Sequence, residues 1–355
     1  MIMIKLNVND AKELAYNLLS AKGVESDIAS NVVEHLIASD QAGYPSHGFT
    51  ILPNYLKAIE QGTLKPNAKV ECFRNEGALL GYEANLGFGQ NAAKIAFKEA
   101  MDLARKNGIC ALTLRHAHHI GRIGFYGELV ANEGMAALVF SNIIKRAPTV
   151  APFGGTKAKL TTSPMCFAFP VVDGNAPFVL DLATAAIAFN KARVLADKGE
   201  QAPSNSLIDA NGKPTNDPNV LFQKPAGTLL AFGGHKGYGL GLMVELFAGI
   251  LSGGGTIQKE HYGSGMAVNN VFAIVIDASK FGSLDNLKKE SEELFSYVKD
   301  CPTQNSNGRI LYPGEIEEEN RIKFAKAINV DEKSWNTFTE LALQYKLKLP
   351  EVEKA

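Results

Sequence analysis

The alternation of helical and strand-like patterns through the middle of the chain constrains the fold most. Apolar residues recur at helical spacing from Gln90 onward and stop at Gly108, and the apolar run of residues 109–114 follows at once. This pattern predicts a helix, a glycine cap and a buried strand. The alternation continues with a helix over residues 125–133 and strands over residues 135–141, 165–172 and 178–182. Because helical spacing also dominates the N-terminal quarter and the tail from Leu284, we expect a mixed α/β fold.

Composition limits the partners and the compartment. The chain of 355 residues is 46% hydrophobic, enough to bury the core of two or three subdomains. Its formal net charge of -1 offers no basic field for nucleic acid and no polybasic segment for a membrane surface, so neither partner is expected. The first residues lack the apolar core of a secretory signal, and the longest apolar stretch, residues 240–251, is too short to span a bilayer. We therefore expect a cytoplasmic protein.

Two groups of histidines follow the ends of predicted elements. A helix predicted over residues 26–42 leads into the run Ser46-His47-Gly48, in which one imidazole is flanked by a hydroxyl and a glycine. The second group follows the predicted strand at 109–114 and consists of His116, His118 and His119. Because imidazole has an ordinary pKa of about 6.5, histidines at two element ends predict an acid/base site.

The sequence excludes several nucleotide and hydrolase motifs but retains a candidate anion site. It has no G-x-G-x-x-G after a strand, no P-loop, no H-E-x-x-H and no G-x-S-x-G. A glycine-rich segment, residues 233–239, nevertheless opens a predicted helix and carries Lys236. Free backbone N–H groups, a positive helix-dipole end and a lysine together predict an anion site. Hydroxyls, a carboxylate and a glycine turn suited to ribose and phosphate occur at residues 161–164, 181–184 and 313–315.

These segments, in this order, resemble the malate/L-lactate dehydrogenase type of NAD(P)-dependent oxidoreductases. The resemblance runs from about Asp40 to Glu315. Its motifs lie at residues 46–48 with 52, 53 and 55, and at 119–121, 151–155, 163–164, 181–184, 214–218, 235–239 and 313–315. It implies a non-Rossmann α/β fold with a mainly antiparallel central sheet in the cofactor domain, packed with a helical domain formed by both termini. It also implies NAD or NADP as cofactor, a small 2-oxo or 2-hydroxy acid as substrate, and a homodimer.

The resemblance further implies a division of the chain and a set of site residues. We expect residues 1–116 with 280–355 to form a helical substrate and dimerisation domain, and residues 117–279 to bind the nicotinamide cofactor. The predicted substrate-binding residues are Ser46, Tyr55 and Arg122. The predicted cofactor-binding residues are Thr162, Ser163, Asp181, Leu182, Ala183, Thr184, His235, Lys236, Gly237, Pro313, Gly314 and Glu315. No metal site is expected.

Hydride transfer to a 2-oxo acid defines the catalytic roles. The carbonyl oxygen gains negative charge as hydride arrives, so an acid with a pKa near neutrality has to supply a proton. We assign that role to His47 and expect Asp181 to hydrogen-bond its other ring nitrogen, which would fix the tautomer and stabilise the imidazolium. His119 is the competing acid or a donor that orients the substrate.

One position departs from the family pattern. Many relatives have, five residues after the motif serine, an arginine that clamps the substrate carboxylate, whereas this chain has Ile51. Arg122, three residues after His119, is the replacement that we expect to supply a bidentate carboxylate contact. A less polar pocket at Ile51 would also suit a bulkier, even aromatic, 2-oxo acid.

Other interpretations stay open at this stage. Asp181 could be the N-cap of a helix, and Arg122 could be a solvated residue near a helix start or a contact to cofactor phosphate. The histidines at 116–119 could hold zinc in a metal-dependent hydrolase, or the chain could bind a ligand without catalysis. Within the family, a cyclic ketimine or diketogulonate-type reductase is the alternative activity. The sequence does not fix the physiological substrate or the choice between NAD and NADP.

Overall fold

The computed structural model describes residues 3–171, 176–263, 265–305 and 308–354. Its helices are α1 (Val8–Ala21), α2 (Ser26–Gln41), α3 (Leu52–Glu60), α4 (Gly89–Asn107), α5 (Gly124–Ala131), α6 (Phe189–Lys198), α7 (His235–Val244), α8 (Leu284–Lys299), α9 (Glu315–Lys323) and α10 (Glu332–Gln344). Its strands are β1 (Met3–Asn7), β2 (Glu71–Glu76), β3 (Leu79–Glu83), β4 (Ile109–His118), β5 (Met135–Ile144), β6 (Met165–Phe169), β7 (Phe178–Leu182), β8 (Leu207–Ile208), β9 (Pro214–Thr215), β10 (Thr228–Leu229), β11 (Val268–Asp277), β12 (Ala327–Asp331) and β13 (Glu353–Lys354). Two 3-10 helices, Pro45–His47 and Phe49–Ile51, separate α2 from α3, and a π-helical segment, Glu245–Leu251, extends α7.

A large sheet forms the centre of the molecule. Among the described residues its strand order is β2-β3-β4-β11-β5-β6-β7. Only β3 and β4 run parallel, and every other neighbouring pair is antiparallel. A Rossmann domain needs a mostly parallel sheet with crossover helices, so this order excludes that fold. The predicted non-Rossmann, mainly antiparallel sheet is confirmed.

Helices cover both faces of this sheet. On one face, α4 and α5 bury Phe97 and Tyr126, whose rings stack with centroids 5.1 Å apart, against strand residues such as Leu112. On the other face, Val244 at the end of α7 packs with Phe272 of β11. A sheet that is buried on both faces needs apolar side chains in both directions, which explains the nearly continuous apolar runs of β4, β5 and β11.

Both ends of the chain build a second core. Apolar residues of α1, α2 and α3 pack with those of α10, and β1 pairs antiparallel with β12 and with β13. The rings of Phe49 and Phe338 stack in this core with centroids 4.0 Å apart. The expected helical unit formed by both termini is therefore present. The predicted boundary between residues 116 and 117 falls inside β4, so the two predicted domains share the large sheet.

The segment from residue 199 to 225, which contains four prolines, includes regular secondary structure. It contains β8, β9 and a 3-10 turn at Pro218–Leu221, and β8 pairs with both β9 and β10. Leu207 is fully buried in a small apolar core with Leu229. Apolar residues scattered among the turn residues therefore anchor this segment.

Local details at the ends of the elements complete the description of the fold. The side chain that caps α1 is Asn7, which accepts a hydrogen bond from the N–H of Asn9 at 2.8 Å. Strand β4 continues to His118, four residues beyond the predicted end, because Val268 of β11 pairs with His118. The predicted end of the strand at Val172 lies outside the described residues. Within the described ranges, every helix is too short or too polar to span a bilayer.

Candidate active site

The His47 loop is held by a buried carboxylate. After α2 the chain turns at Gly43, which has a φ of 93°, into the two 3-10 helices around His47. The Asp40 carboxylate accepts a hydrogen bond from the N–H of Phe49 at 2.6 Å. A Cβ at Gly48 would lie 2.3 Å from the Asp40 Cγ, so only glycine fits between the loop and this carboxylate. Burial raises the pKa of Asp40 to about 7. The glycine of the Ser46-His47-Gly48 run is thus a packing requirement.

His119 is oriented by a short relay of side chains. The Tyr55 hydroxyl lies 2.7 Å from Nδ1 of His119, and the Gln90 amide donates a hydrogen bond to the same hydroxyl at 2.7 Å. With its oxygen accepting from Gln90, Tyr55 donates its proton to Nδ1, which leaves the ring proton of neutral His119 on Nε2. Gln90 was not predicted from the sequence. A glutamine in the first turn of a helix has no local pattern that reveals a contact with a tyrosine far away in the chain.

The two predicted acid/base histidines meet face to face. The rings of His47 and His119 stack with centroids 5.6 Å apart and an angle of 15° between their planes. Ser46 Oγ lies 3.0 Å from Nδ1 of His47. The structure therefore brings Ser46, His47, Tyr55 and His119 together, although three of them come from the α2–α3 region and the fourth follows β4.

Both imidazoles are neutral at neutral pH. Burial lowers the pKa of His47 to about 4, and the guanidinium of Arg122 contributes to the decrease. The pKa of His119 lies well below its ordinary value, mainly because of burial and also because of its histidine neighbours. A neutral imidazole is ready to take a proton from a hydroxyl group. In the opposite direction, an anion bound beside the rings would raise their pKa and allow one of them to carry a proton.

Arg122 and Asp181 form a buried charged cluster beside these histidines. Arg122 is only 3% exposed, and its Nη2 pairs with Glu128 at 2.7 Å. Glu128 also contacts Arg321 at 3.1 Å, so one carboxylate joins two guanidinium groups. Asp181 accepts a hydrogen bond from the N–H of Gly124 at 2.8 Å, and burial raises its pKa to about 6. Glu128 was not predicted from the sequence, although a carboxylate inside the apolar helix at 125–133 was a detectable signal.

Three expectations for this cluster are corrected. Among the hydrogen bonds of the described residues, none joins Asp181 to His47. The Asp181 carboxylate instead accepts a hydrogen bond from the backbone N–H of Gly124. Asp181 is not a helix N-cap, because it lies in β7 and the next helix, α6, begins at Phe189. Arg122 is not a solvated surface residue, because its side chain is buried against Glu128 and lies 5.3 Å from the ring centre of Tyr44.

A further histidine, His35, is hydrogen-bonded to the backbone of the segment that carries Arg122. His35 of α2 is buried, and its Nε2 accepts a hydrogen bond from the N–H of Arg122 at 2.9 Å. A Cβ at Gly121 would lie 2.1 Å from that nitrogen, and Gly121 has a φ of 76°. His35 was not predicted from the sequence, because its acceptor role depends on a backbone segment far away in the chain.

The hydroxyl-bearing segments converge on α7. Thr184 donates two hydrogen bonds to the carbonyl of Thr162, from its N–H at 2.8 Å and from its hydroxyl at 3.0 Å. A Cβ at Gly241 of α7 would lie 3.4 Å from the Thr184 hydroxyl oxygen and 4.0 Å from that of Ser163. Both hydroxyls therefore lie at ordinary contact distance from this helix. Leu182 and Ala183 connect Thr184 to Asp181 along the end of β7.

The turn before α7 forms a cradle. Gly233 and Gly234 have φ values of 57° and 60°, and His235 and Lys236 are exposed directly after them. The N–H groups of Lys236 and Gly237 are bonded to the carbonyls of Gly233 and Phe232, so these two are not among the free donors of this turn. The helix-dipole end and the Lys236 ammonium remain available to an anion. With the hydroxyls of Thr184 and Ser163 against the same helix, these residues fit a pyridine nucleotide.

The segment at residues 313–315 lies beside β7. The Pro313 carbonyl accepts a hydrogen bond from the N–H of Val179 at 3.0 Å. Gly314 has a φ of 113°, and a Cβ there would lie 2.2 Å from the Pro177 carbonyl oxygen. The Glu315 carboxylate pairs with Lys299 and accepts from the N–H of Tyr312 at 2.8 Å. The strand residue bonded to this segment is Val179, two residues before Asp181 in β7. The Glu315 carboxylate is already engaged by Lys299 and by the N–H of Tyr312.

The three histidines at 116–119 do not converge on one point. Nδ1 of His116 contacts Glu83 at 2.9 Å, His118 is buried with its ring 5.9 Å from that of Tyr55, and His119 contacts the Tyr55 hydroxyl. In the described parts of the chain, no group of three histidines, cysteines or carboxylates is arranged to hold a metal ion. This geometry gives the hydrolase alternative no support.

Comparison with known proteins agrees with this geometry. Residues 6–339 match the family model described as malate/L-lactate dehydrogenase. The chain is 44% identical over 347 residues to L-lactate dehydrogenase of Cupriavidus necator, which covers 98% of this chain and 99% of that protein. It is 38% identical over 325 residues to hydroxycarboxylate dehydrogenase B of Escherichia coli K12, with 91% and 89% covered. The structure of sulfolactate dehydrogenase from Methanocaldococcus jannaschii is similar with a TM-score of 0.88 at 30% identity, covering 98% of both chains.

The fold and these comparisons identify a non-Rossmann dehydrogenase of a pyridine-nucleotide family that acts on CH–OH groups. The chain belongs to the malate/L-lactate dehydrogenase family. It is a 2-hydroxyacid oxidoreductase, as the motif resemblance implied, and the hydrolase and ketimine reductase alternatives are not favoured.

Gly48→Ala tests the packing of the His47 loop. The added methyl group would meet the Asp40 carboxylate and push His47 away from His119. Because a displacement of about 1 Å at a reacting group costs roughly 100-fold in rate, kcat/KM for 2-oxo acid reduction should fall by about that factor. Gly282→Ala is the matched control, since nothing lies within 4 Å of a Cβ there. If the circular dichroism spectrum and the activity of Gly48→Ala both equalled those of the parent, the packing argument would be wrong.

Proposed function

We propose that this chain interconverts 2-oxo and 2-hydroxy acids with His47 as the proton donor and acceptor. The observation that carries the proposal is the stack of two neutral imidazoles at 5.6 Å in a chain of this dehydrogenase family. The bound nicotinamide supplies or accepts hydride. His47 has Nδ1 beside the Ser46 hydroxyl, so its Nε2 is the atom left to exchange a proton with the substrate oxygen.

His119 complements His47 as an orienting donor. Its Nδ1 is engaged by Tyr55, and the ring proton on Nε2 can be donated to a carbonyl oxygen that gains negative charge. It is also the competing candidate for the proton-donor role. Ser46 and Tyr55 act on the substrate through these two imidazoles, because each hydroxyl contacts one ring.

The buried cluster of Arg122 and Asp181 sets the electrostatics of the site. Asp181 is ionised above its raised pKa of about 6 and would stabilise an imidazolium through space rather than by a direct hydrogen bond. The predicted contact of Arg122 with the substrate carboxylate requires an accessible donor. Its Nε and Nη1 lie buried without a hydrogen-bond partner among the described residues. We therefore assign Arg122 a positioning role next to Asp181 in this structure.

We propose that the pyrophosphate of NAD or NADP binds at the turn before α7. The support is the cradle of Gly233 and Gly234, the exposed Lys236, and the convergence of Thr184 and Ser163 on the same helix. His235 lies beside Phe153, with ring centres 5.8 Å apart, at the mouth of this turn. Thr162, Leu182, Ala183, Gly237, Pro313 and Gly314 would supply backbone contacts, whereas Glu315 would act only through Tyr312 and Lys299.

Ile51 directs the choice of acid. It is partly buried and packs on the apolar core of α1, α2 and α3 rather than presenting a charge. The relatives are named for lactate and for hydroxycarboxylates. We propose that the substrate is a 2-oxo monocarboxylate with an apolar side chain and that bulkier side chains are accepted.

The first test separates the two histidines. Removal of a proton donor costs about 100-fold or more, so His47→Ala should lower kcat by at least that factor while the Kd of NADH and NADPH stays unchanged. His119→Ala is the parallel variant, and Tyr55→Phe removes only the hydroxyl that holds His119. Parental turnover in His47→Ala together with a large loss in His119→Ala would transfer the donor role to His119.

The second test concerns the anion cradle. Lys236→Ala should weaken binding of NADH and NADPH by roughly tenfold, because a hydrogen bond to a charged group contributes about 1.5–3 kcal/mol. Fluorescence titration with both nucleotides measures the Kd, and Lys12→Ala on α1 is the control for the loss of an exposed lysine. Unchanged dissociation constants for both nucleotides would refute this placement.

We also propose that the chain acts as a cytoplasmic homodimer. The dimer rests on the family resemblance and on an exposed apolar face of the π-helical segment, where Leu246 is 56%, Ile250 61% and Leu251 58% exposed. Contiguous exposed apolar residues are typical of association surfaces. Light scattering at micromolar concentration should give twice the chain mass, and a monomer mass would contradict the proposal.

A further inference from the structure

The register of the large sheet brings the segment after β5 to the same edge as His119. Strands β4 and β5 are both antiparallel to β11, so they run parallel to each other and end at the same edge. Val268 of β11 pairs with His118 on one side and with Ile144 on the other. Two strand spacings of about 4.8 Å separate the ends of β4 and β5. His119 and Lys145 each follow the paired residue directly, and Arg146 comes one residue later.

The backbone before Arg146 is fixed. The N–H of Lys145 donates a hydrogen bond to the carbonyl of His261 at 2.9 Å, and Lys145 has a φ of 61°. The Arg146 side chain is exposed, and no hydrogen bond or ion pair engages it within the described residues. A long cationic side chain on an anchored segment, without a carboxylate partner, is available to a ligand.

Arg146 is also close enough to His119 to act on its charge. Burial, His47 and His118 lower the pKa of His119, and the guanidinium of Arg146 contributes to the same decrease. The other polar group that faces this ring is the Tyr55 hydroxyl. Among the described residues that shift the pKa of His119, Arg146 is the cation and no carboxylate takes part.

In contrast to Arg146, Arg122 is buried and has a carboxylate partner. Its guanidinium is paired with Glu128 and lies near Asp181, and its side chain has almost no accessible surface. A substrate carboxylate must touch the donor that binds it, and it gains most from a cation whose charge is not already compensated.

We propose that Arg146 binds the carboxylate of the 2-oxo acid substrate and holds its carbonyl group beside His47 and His119. The inference rests on the proposed 2-oxo acid reductase function. A guanidinium can grip a carboxylate with two parallel hydrogen bonds, which fixes the plane of the adjacent carbonyl. Arg146 is thereby a determinant of substrate specificity for acids over their neutral analogues.

The test compares an acid with its amide. Reduction of pyruvate and of pyruvamide is measured for the parent, Arg146→Ala, Arg146→Lys and the neighbouring control Lys145→Ala. Arg146→Ala should raise the KM for pyruvate by roughly 10-fold to 100-fold, because hydrogen bonds to charged groups contribute about 1.5–3 kcal/mol. Its KM for pyruvamide should not change, so the preference for the acid disappears. Arg146→Lys should recover part of the preference for the acid over the amide, and Lys145→Ala should behave like the parent.

The pH profile adds a readout that a purely structural role would not move. Loss of the Arg146 charge should raise the pKa of His119, so the acidic limb of kcat/KM should shift to higher pH in Arg146→Ala and not in Lys145→Ala. Added guanidine at millimolar concentration should partly restore pyruvate reduction by Arg146→Ala.

Three outcomes would overturn the proposal. An unchanged acid-to-amide preference in Arg146→Ala would show that the carboxylate binds elsewhere. An equal loss of this preference in Lys145→Ala would show that the positive electrostatic potential of the segment, and not a specific contact, attracts the acid. A weaker Kd for NADPH or NADH with an unchanged pyruvate KM would make Arg146 a cofactor contact. A parent chain that reduced no 2-oxo acid with either nucleotide would instead refute the proposed function, so the two failures are distinguishable.

Discussion

The pairing of β11 with both β4 and β5 is the constraint on which the rest of the molecule depends. Because one strand sets the register of two others, the ends of β4 and β5 are fixed relative to each other within the tolerance of a hydrogen-bonded ladder. A slip of one residue on either side would turn every side chain of that strand to the opposite face and disrupt its packing against α4 or α7. The apolar burial of both sheet faces therefore maintains the position of His119.

The site places two neutral imidazoles next to a charged arginine and its carboxylate partners. Two imidazoles are neutral because burial disfavours their charged forms. Immediately beside them, Arg122 keeps its charge because Glu128 and Asp181 compensate it. A fully apolar pocket could not stabilise a developing imidazolium, and a uniformly charged one would keep the histidines from exchanging protons at neutral pH. The arrangement lets a bound anion decide the protonation state of the histidines.

Much of this architecture was predictable from local sequence, and the reasons are local. The helix that ends at Gly108 and the strand at 178–182 were visible because a left-handed glycine and a short apolar run are determined by adjacent residues. The motif resemblance identified both histidines and the antiparallel sheet. The relay from Gln90 through Tyr55 to His119 was not visible, nor was the bond between Asp181 and Gly124, because these contacts join elements that meet only after the sheet has formed.

The stacking of Phe49 on Phe338 has a consequence for the order in which the protein becomes complete. Phe49 lies two residues after His47, whereas Phe338 belongs to α10, near the end of the chain. During synthesis the loop that carries His47 leaves the ribosome early but has no ring to stack on until α10 has emerged and docked. The packing around the loop that carries His47 is therefore complete only once α10 has docked, so the alignment of the two imidazoles depends on residues near the end of the chain.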